Sequence, residues 1–155
     1  MTEWILYITK KTDIIWAIKS MTHLKNQNIG GYKLMEFIKG ENIKELMNPG
    51  VISRQLLNSD NSASKRVTIT EVHLEVGASQ PRHTHDSSEQ IWYAVKGTGK
   101  LLLADDNEKE FKAGDVVRFA DKDVHGLFND GETEFVYISV TAPPVNFGYA
   151  YQGRR

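Results

Sequence analysis

Short stretches rich in apolar and β-branched residues, separated by polar turn-forming residues, recur along the chain from residue 51 to residue 140. Such stretches are typical of strands. The pattern predicts strands at residues 51–57, 66–76, 91–95, 100–103, 110–112, 116–119, 125–128 and 134–140. Many short strands with regular turns predict an all-β fold, an antiparallel sandwich or barrel.

Turn signals and prolines place the remaining elements of this region. Residues 42–47 predict one or two helical turns, which the Asn-Pro-Gly turn at residues 48–50 closes. The Asn-Asp-Gly sequence at residues 129–131 predicts a hairpin between the last two strands. The prolines at residues 143–144 end the final strand. In the tail, aromatic residues alternate and are expected to lie against the barrel or a partner chain: Phe147, Tyr149 and Tyr151.

The first 34 residues differ in character from the rest of the chain. Residues 4–8 predict a short strand, and apolar residues at helical spacing predict an amphipathic helix over residues 12–25. Two interpretations stay open. The segment is either a short helical N-terminal extension packed on the barrel, or a stretch outside the natural domain, which would then begin at Met35. Either way, residues 35–155 are expected to form one domain.

Composition narrows the classes of function. A chain of 155 residues with 40% hydrophobic residues suits one ordinary domain with its own core. A net charge of −1 and the lack of a basic block argue against nucleic acid as a partner. No apolar run approaches the roughly 20 residues of a membrane span, and no signal pattern is present, so we expect a cytoplasmic protein. With no cysteine, a metal site must use nitrogen and oxygen ligands.

Histidines supply the candidate chemistry. His83 and His85 are one residue apart, so on an extended chain their side chains point the same way. Imidazole nitrogens are common ligands of borderline divalent metals. A short polar turn then brings in Glu89 and Gln90, whose oxygens could add a ligand, and a later strand contributes His125. Together these residues predict a metal site.

The residues alone leave the choice between Glu89 and Gln90 open. If Glu89 faces inward, strand alternation turns an apolar set inward with it: Ile91, Tyr93 and Val95. If Gln90 faces inward, Trp92 and Ala94 do so as well. Alternation by itself slightly favours Glu89.

Two stretches around these histidines resemble the paired motifs of the cupin superfamily. Residues 77–97 fit the first motif, through Gly77, His83, His85, Gln90 and Gly97. Residues 114–129 fit the second motif, through Gly114, His125 and Asn129. Ala120 and Lys122 stand where the family usually has proline and glycine, which affects a turn and leaves the histidine in place. The resemblance covers about residues 66–140.

The resemblance implies a cupin-type antiparallel β-barrel, also described as a double-stranded β-helix or jelly roll. It implies one divalent metal ion (Ni, Mn, Fe or Zn), held by four side chains: His83, His85, Gln90 and His125. The family register counted back from Gly97 favours Gln90 over Glu89. The open side of the metal would face a pocket lined partly by Trp92 and Leu127.

The resemblance also implies a class of function. We expect an enzyme that uses the metal as a Lewis acid on a small sugar acid or a keto or hydroxy acid, for isomerisation, ring opening or lyase chemistry. The alternatives are a metal-dependent dioxygenase or decarboxylase, or a non-catalytic module that binds an anionic or polyhydroxy molecule. Residues near the motif are candidates for proton transfer and carboxylate binding: Asp86, Tyr93 and Arg82. A homodimer is expected, with residues 51–57 as an edge strand that pairs between chains.

Overall fold

The computed structural model of the chain describes residues 35–151 and 153–154. The strand predicted at residues 4–8 and the helix predicted over residues 12–25 lie outside this range. Whether the first 34 residues belong to the domain therefore stays open, as the sequence left it.

The described residues form two antiparallel sheets, which confirms the all-β prediction. The strands in chain order are β1 (Glu45–Asn48), β2 (Val51–Leu57), β3 (Thr68–Leu74), β4 (Ser79–His83), β5 (Glu89–Lys96), β6 (Thr98–Leu102), β7 (Glu108–Lys112), β8 (Val116–Phe119), β9 (His125–Phe128), β10 (Phe135–Ala142) and β11 (Gly153–Arg154). A seven-stranded sheet has the order β11-β1-β2-β3-β10-β5-β8, and a four-stranded sheet has the order β4-β9-β6-β7. All of their pairings are antiparallel.

Helical structure in the described part of the chain is limited to three short 3₁₀ turns: Gly40–Asn42, Ala104–Asp106 and Phe147–Ala150. None of them is long and apolar enough to cross a membrane. The last turn is capped by the Asn146 side chain, which accepts a hydrogen bond from the Gly148 amide.

The side chains that the two sheets turn toward each other change from polar to apolar along the strands. On β3, Thr68 and Thr70 are buried, and they are followed by the buried Val72 and Leu74. Strands β2 and β10 repeat this division, so that the apolar halves of the strands meet in one core. The core residues are Val51, Val72, Leu74, Trp92, Ala94, Leu101, Phe111, Phe119, Leu127, Phe135 and Tyr137. The polar halves leave one side of the interior suited to binding polar molecules.

The segment before β2 differs from its prediction. Residues 45–48 form strand β1 rather than a helical turn, because they pair with β2 through the tight turn that follows them. Gly50 in this turn has a φ of +69°, a backbone conformation that residues with a side chain rarely adopt. Since β2 is hydrogen-bonded to β1 on one side and to β3 on the other, it is not a free edge. The prediction that residues 51–57 pair between chains is therefore wrong, and the homodimer stays a prediction.

The hairpin predicted at residues 129–131 is also wrong. Strand β9 pairs with β4 and β6, whereas β10 pairs with β3 and β5, so this turn carries the chain from one sheet to the other. The fully buried Asn129 holds the crossing in place. Its side-chain amide donates hydrogen bonds to the carbonyl oxygens of Leu74 and Thr133, and its Oδ1 accepts one from the Gly131 amide.

Strand β5 presents an apolar strip to the outside. Its inward side chains are Gln90, Trp92 and Ala94, all buried. The outward side chains of β5 remain exposed: Ile91, Tyr93 and Val95. Val116 of the neighbouring strand β8 is also exposed and extends this strip. This is the reverse of the orientation that apolar alternation favours for β5.

Candidate metal centre

A close approach between β4 and β9 brings two of the histidines together. His83 ends β4 and lies opposite His125, the first residue of β9, after an irregularity in the pairing that begins at Gln80. At the next position, a Cβ on Gly126 would lie 2.7 Å from the Gln80 carbonyl oxygen and 2.9 Å from the Arg82 amide nitrogen. Only glycine leaves room for the backbone of β4 to lie this close.

The three histidines form a compact group. Their ring centroids are separated by 5.1 Å for His83 and His85, 4.4 Å for His83 and His125, and 5.3 Å for His85 and His125. One ring nitrogen from each lies within 4.8 Å of the others, which is a spacing that a single metal ion can bridge. His85 and His125 are buried and His83 is half-buried.

Hydrogen bonds to carbonyl oxygens fix two of the rings. His83 Nδ1 lies 2.9 Å from the Pro81 carbonyl oxygen, and His125 Nδ1 lies 2.8 Å from the Asp123 carbonyl oxygen. Because a carbonyl can only accept, Nδ1 carries the proton in both rings and Nε2 keeps its lone pair. A backbone partner that orients a metal-binding histidine in this way is typical of metal sites.

Burial keeps two of the imidazoles neutral. It lowers the pKa of His125 to about 4; the hydrogen bond to the Asp123 carbonyl oxygen opposes this, and His83 and His85 lower the pKa further by smaller amounts. Burial, followed by the charge of His83, also lowers the pKa of His85. His85 Nε2 is buried and has no hydrogen-bond partner among the described residues. A buried polar atom without a partner is costly, and a metal ion would satisfy it.

Gln90 adds an oxygen to the group. Trp92 Nε1 can only donate, so its 2.9 Å contact identifies Gln90 Oε1 as the acceptor, while Gln90 Nε2 donates to Thr141 Oγ1 at 3.0 Å. Gln90 Oε1 lies 3.1 Å from His125 Nε2, and both atoms present lone pairs. This contact is repulsive unless a cation lies between them. Ligands bound at about 2.1 Å and at right angles are about 3 Å apart, so the residues present fit a metal ion.

Glu89 lies on the other face of β5. Its Oε2 accepts a 2.6 Å hydrogen bond from Arg118 Nε on the neighbouring strand β8, away from the histidines. Gln90, by contrast, is only 4% exposed and turned toward them. Of the two residues that the sequence left open, the structure brings Gln90 to the histidines.

His83 and His85 open onto a cavity of about 310 Å³ between the polar halves of the strands. Its walls carry hydroxyl, amide, imidazole and aromatic groups, some of them from the C-terminal tail. The lining residues are Asn48, Ser53, Thr70, Val72, Gln80, Pro81, Arg82, His83, Thr84, His85, Gln90, Trp92, Tyr137, Ser139, Phe147, Tyr149, Ala150 and Tyr151. Sequence analysis missed most of the polar lining, although buried polar residues at alternate positions of β2, β3 and β10 were a usable signal.

The tail helps to build the cavity wall. Phe147 packs edge-on against His85, with ring centroids 5.7 Å apart. The Tyr151 hydroxyl hydrogen-bonds with Ser53 and Gln80, and Gln80 Oε1 also accepts from the Tyr137 hydroxyl. Burial raises the pKa of both tyrosines, so both phenols are neutral hydrogen-bonding groups near neutral pH. All three tail aromatics border the site, but only Phe147 and Tyr151 lie against the barrel as predicted, whereas Tyr149 is 76% exposed.

Of the three predicted catalytic residues, only Arg82 lines the cavity. Its Nε donates to the Leu103 carbonyl oxygen at 2.8 Å, and its Nη1 lies 3.5 Å from Asp106 Oδ1. Tyr93 is on the outer face and 47% exposed, because the inward positions of β5 belong to Gln90 and its alternate neighbours. The expectation that Tyr93 faces the site is therefore corrected.

Two further predicted positions also fall away from the cavity. Asp86 directly follows the buried His85, is exposed in the turn before β5 and is not part of the cavity wall. Leu127 is fully buried in the apolar core, whereas Trp92 lines the cavity as predicted.

The lowered pKa of the buried His125 should make the folded protein less stable in acid. An unfolded His125 takes up a proton near pH 6.5, whereas the folded one does so only near pH 4, so the unfolded state gains protons first as the pH falls. The contribution of the neutral His125 to the free energy of unfolding is fully present above pH 6.5. We expect the free energy of unfolding of chelator-treated protein to fall between pH 6.5 and 4, by up to about 3 kcal/mol. Urea denaturation across this window measures it, and a flat profile would contradict the prediction.

Comparisons with known proteins identify the family of the chain. The family model described as a cupin domain matches residues 70–141. An uncharacterised protein of Methanocaldococcus jannaschii is 32% identical over 96 residues, which cover 61% of this chain and 75% of that protein.

Two solved structures share the fold at lower identity. The polyketide cyclase RemF from Streptomyces resistomycificus matches with a TM-score of 0.61 and 19% identity, over 70% of this chain and 79% of that chain. An RmlC-like cupin from Shewanella frigidimarina matches with a TM-score of 0.58 and 21% identity, over 70% and 91% of the two chains. Likeness at this identity shows the fold alone. Together with the family model and the archaeal relative, it leads to one conclusion: the chain belongs to the cupin superfamily.

Proposed function

We propose that the protein is an enzyme whose divalent metal ion is held by His83, His85, His125 and Gln90. The substrate would be a small hydroxy or keto acid, and the reaction an isomerisation, ring opening or elimination. The observation that carries the proposal is the 3.1 Å contact between two lone-pair-bearing atoms, His125 Nε2 and Gln90 Oε1, beside the unpartnered Nε2 of His85.

The charges of the ligand set favour an acidic substrate. Three imidazoles and an amide are all neutral, so they leave the positive charge of a divalent ion uncompensated. An anionic oxygen donor such as a carboxylate would compensate it. A divalent ion held there would act as a Lewis acid, drawing charge from a carbonyl or hydroxyl oxygen of the substrate.

The chain's own side chains set the size and orientation of the substrate. A cavity of about 310 Å³ is near the lower limit of small-molecule pockets, which favours a short substrate. Phe147 and Trp92 place apolar rings beside the histidines and exclude water from them. Arg82 stands at the exposed part of the wall, where the Leu103 carbonyl oxygen and Asp106 hold its guanidinium.

A pair of neighbouring substitutions tests the fourth ligand. We expect Gln90→Ala to weaken metal binding by roughly 10- to 100-fold, because it removes an oxygen that faces the histidines. Glu89→Ala is the matched control on the outer face and should leave the affinity unchanged. Competition titration with a metal-binding dye measures both values. A larger loss for Glu89→Ala would contradict the assignment of Gln90.

The reaction class is tested by a screen of sugar acids, hydroxy acids and keto acids with the metal-loaded protein in an oxygen electrode. Turnover without oxygen consumption supports the proposal. Steady oxygen uptake that requires ferrous iron would replace it with the dioxygenase alternative. Thermal stabilisation by small acids without any turnover would instead favour the binding module.

A further inference from the structure

Two hydroxyl groups in the cavity wall are unused by the protein. Thr70 on β3 and Ser139 on β10 lie directly opposite each other in the seven-stranded sheet. They are 4% and 5% exposed and line the cavity. Neither side-chain hydroxyl makes a hydrogen bond within residues 35–151 and 153–154.

The next inward-facing pair on the same two strands is Thr68 and Thr141, and both of its hydroxyls make hydrogen bonds within the protein. The Thr68 hydroxyl donates to the Val145 carbonyl oxygen at 3.3 Å, and Thr141 Oγ1 accepts from Gln90 Nε2 at 3.0 Å. The Thr70 and Ser139 hydroxyls instead face the cavity, where water or a bound molecule can reach them. The pair is therefore available to a group that arrives from the cavity.

The position of the pair relates it to the metal centre. Ser139 is two residues from Thr141, the partner of Gln90, and strands rise about 3.4 Å per residue, so the pair lies about 7 Å along the sheet from that contact. This separation suits a short carbon chain whose acid end binds the metal and whose far end reaches the hydroxyls.

The charge of the wall restricts what that far end can be. Among the described residues, no aspartate, glutamate or lysine lines the cavity, and the guanidinium of Arg82 is engaged by the Leu103 carbonyl and Asp106. A second carboxylate near Thr70 and Ser139 would have no cation to pair with, which is costly in a buried site. Serine and threonine hydroxyls both donate and accept, so they match hydroxyl groups of a ligand.

We propose that Thr70 and Ser139 form a specificity-determining subsite that binds the distal hydroxyl groups of a monocarboxylic polyhydroxy acid. The subsite rests on the proposed function, since the metal must bind the acid end. It distinguishes a polyhydroxy acid from an aliphatic hydroxy acid and from a dicarboxylic sugar acid.

The test uses probes with the same metal-binding end. Gluconate and 2-hydroxyhexanoate both carry a carboxylate and a 2-hydroxyl group on six carbons, and only gluconate has distal hydroxyls. Calorimetric titration of the metal-loaded full chain should show gluconate binding about tenfold more tightly, the value for one or two added hydrogen bonds. Glucarate, which adds a second carboxylate, should bind at least about tenfold more weakly than gluconate.

Variants link the preference to the two hydroxyls. In the double variant Thr70→Val with Ser139→Ala, the preference for gluconate should disappear, while the affinities for metal and for 2-hydroxyhexanoate stay unchanged. Each single substitution should remove part of it, which keeps the test available if the double variant does not fold. Thr68→Val is the matched control, because it removes a neighbouring hydroxyl that is already bonded, and it should keep the preference.

The outcomes separate the subsite from the function. Equal binding of gluconate and 2-hydroxyhexanoate, equal binding of gluconate and glucarate, or a preference that survives in the double variant would overturn the subsite and leave the metal-dependent function standing. Loss of all metal-dependent binding of both acids by the unmodified protein would overturn the proposed function and the subsite together.

Discussion

The double variant His83→Ala with His85→Ala is expected to bind no measurable metal while its barrel stays folded. Removal of two imidazoles should weaken binding by more than about 100-fold, since even the partners that only orient metal ligands contribute 10- to 100-fold. The fold should survive because neither histidine belongs to the apolar core. Elemental analysis after gel filtration gives the metal content, and circular dichroism gives the thermal transition.

A histidine outside the metal centre, His73, provides the control for this result. His73 lies on the outward face of β3, where its ring nitrogens contact Glu71 Oε1 at 3.0 Å and Glu134 Oε1 at 3.2 Å. His73→Ala should therefore leave the metal content unchanged. A double variant at residues 83 and 85 that keeps one metal ion per chain would show that the ion binds elsewhere.

The substitution Gly126→Ala is expected to damage both stability and metal binding. Its Cβ would lie 2.7 Å from the Gln80 carbonyl oxygen and 3.0 Å from the Pro81 carbonyl carbon, and both are backbone atoms that cannot move aside alone. Forcing β4 away from β9 should lower the free energy of unfolding by about 1–3 kcal/mol. It should also weaken metal binding at least about tenfold, because it separates His83 from His125.

Gly40→Ala is the matched control for this substitution. A Cβ there meets no atom within 4 Å, so both the free energy of unfolding and the metal affinity should stay close to those of the unmodified protein. Urea denaturation and metal titration measure the two variants side by side. If Gly126→Ala proved as mild as Gly40→Ala, the close contact of β4 and β9 would not be what positions the histidines.

Local pattern was enough to locate most strands, because each of them is a short, mostly apolar run bounded by turn residues. Strands β2, β8 and β9 begin and end where the sequence predicts. Pairing between distant segments was not readable in the same way. The residues of β1 carry no strong alternation and become a strand only through β2, and residues 129–131 form a turn that links two sheets.

The orientation of β5 shows where alternation misleads. The rule assumes that the more apolar face is buried, yet this strand places Gln90 inside and Tyr93 outside. A polar interior is what a binding cavity requires, so the rule fails at the functional site itself. The spacing of motif residues back from Gly97 carried the correct orientation, because it reflects the site rather than average burial.

The cavity wall beyond the histidines was mostly out of reach of sequence reasoning. Thr70, Ser139 and Tyr151 come from three distant segments, and no short motif connects them. Their meeting depends on the register of β3 with β10 and on the return of the tail, both of which are long-range properties.

The indole of Trp92 gives the metal centre its own optical reporter. The indole is buried, and its ring centroid lies 5.4 Å from that of His125. Its N–H donates a hydrogen bond to the same Gln90 oxygen that faces the histidines. We therefore expect its emission to change when the surroundings of this oxygen change. The other tryptophans of the chain, Trp4 and Trp16, both precede Met35. Replacing those two with phenylalanine would leave a tryptophan emission that comes from the metal centre alone.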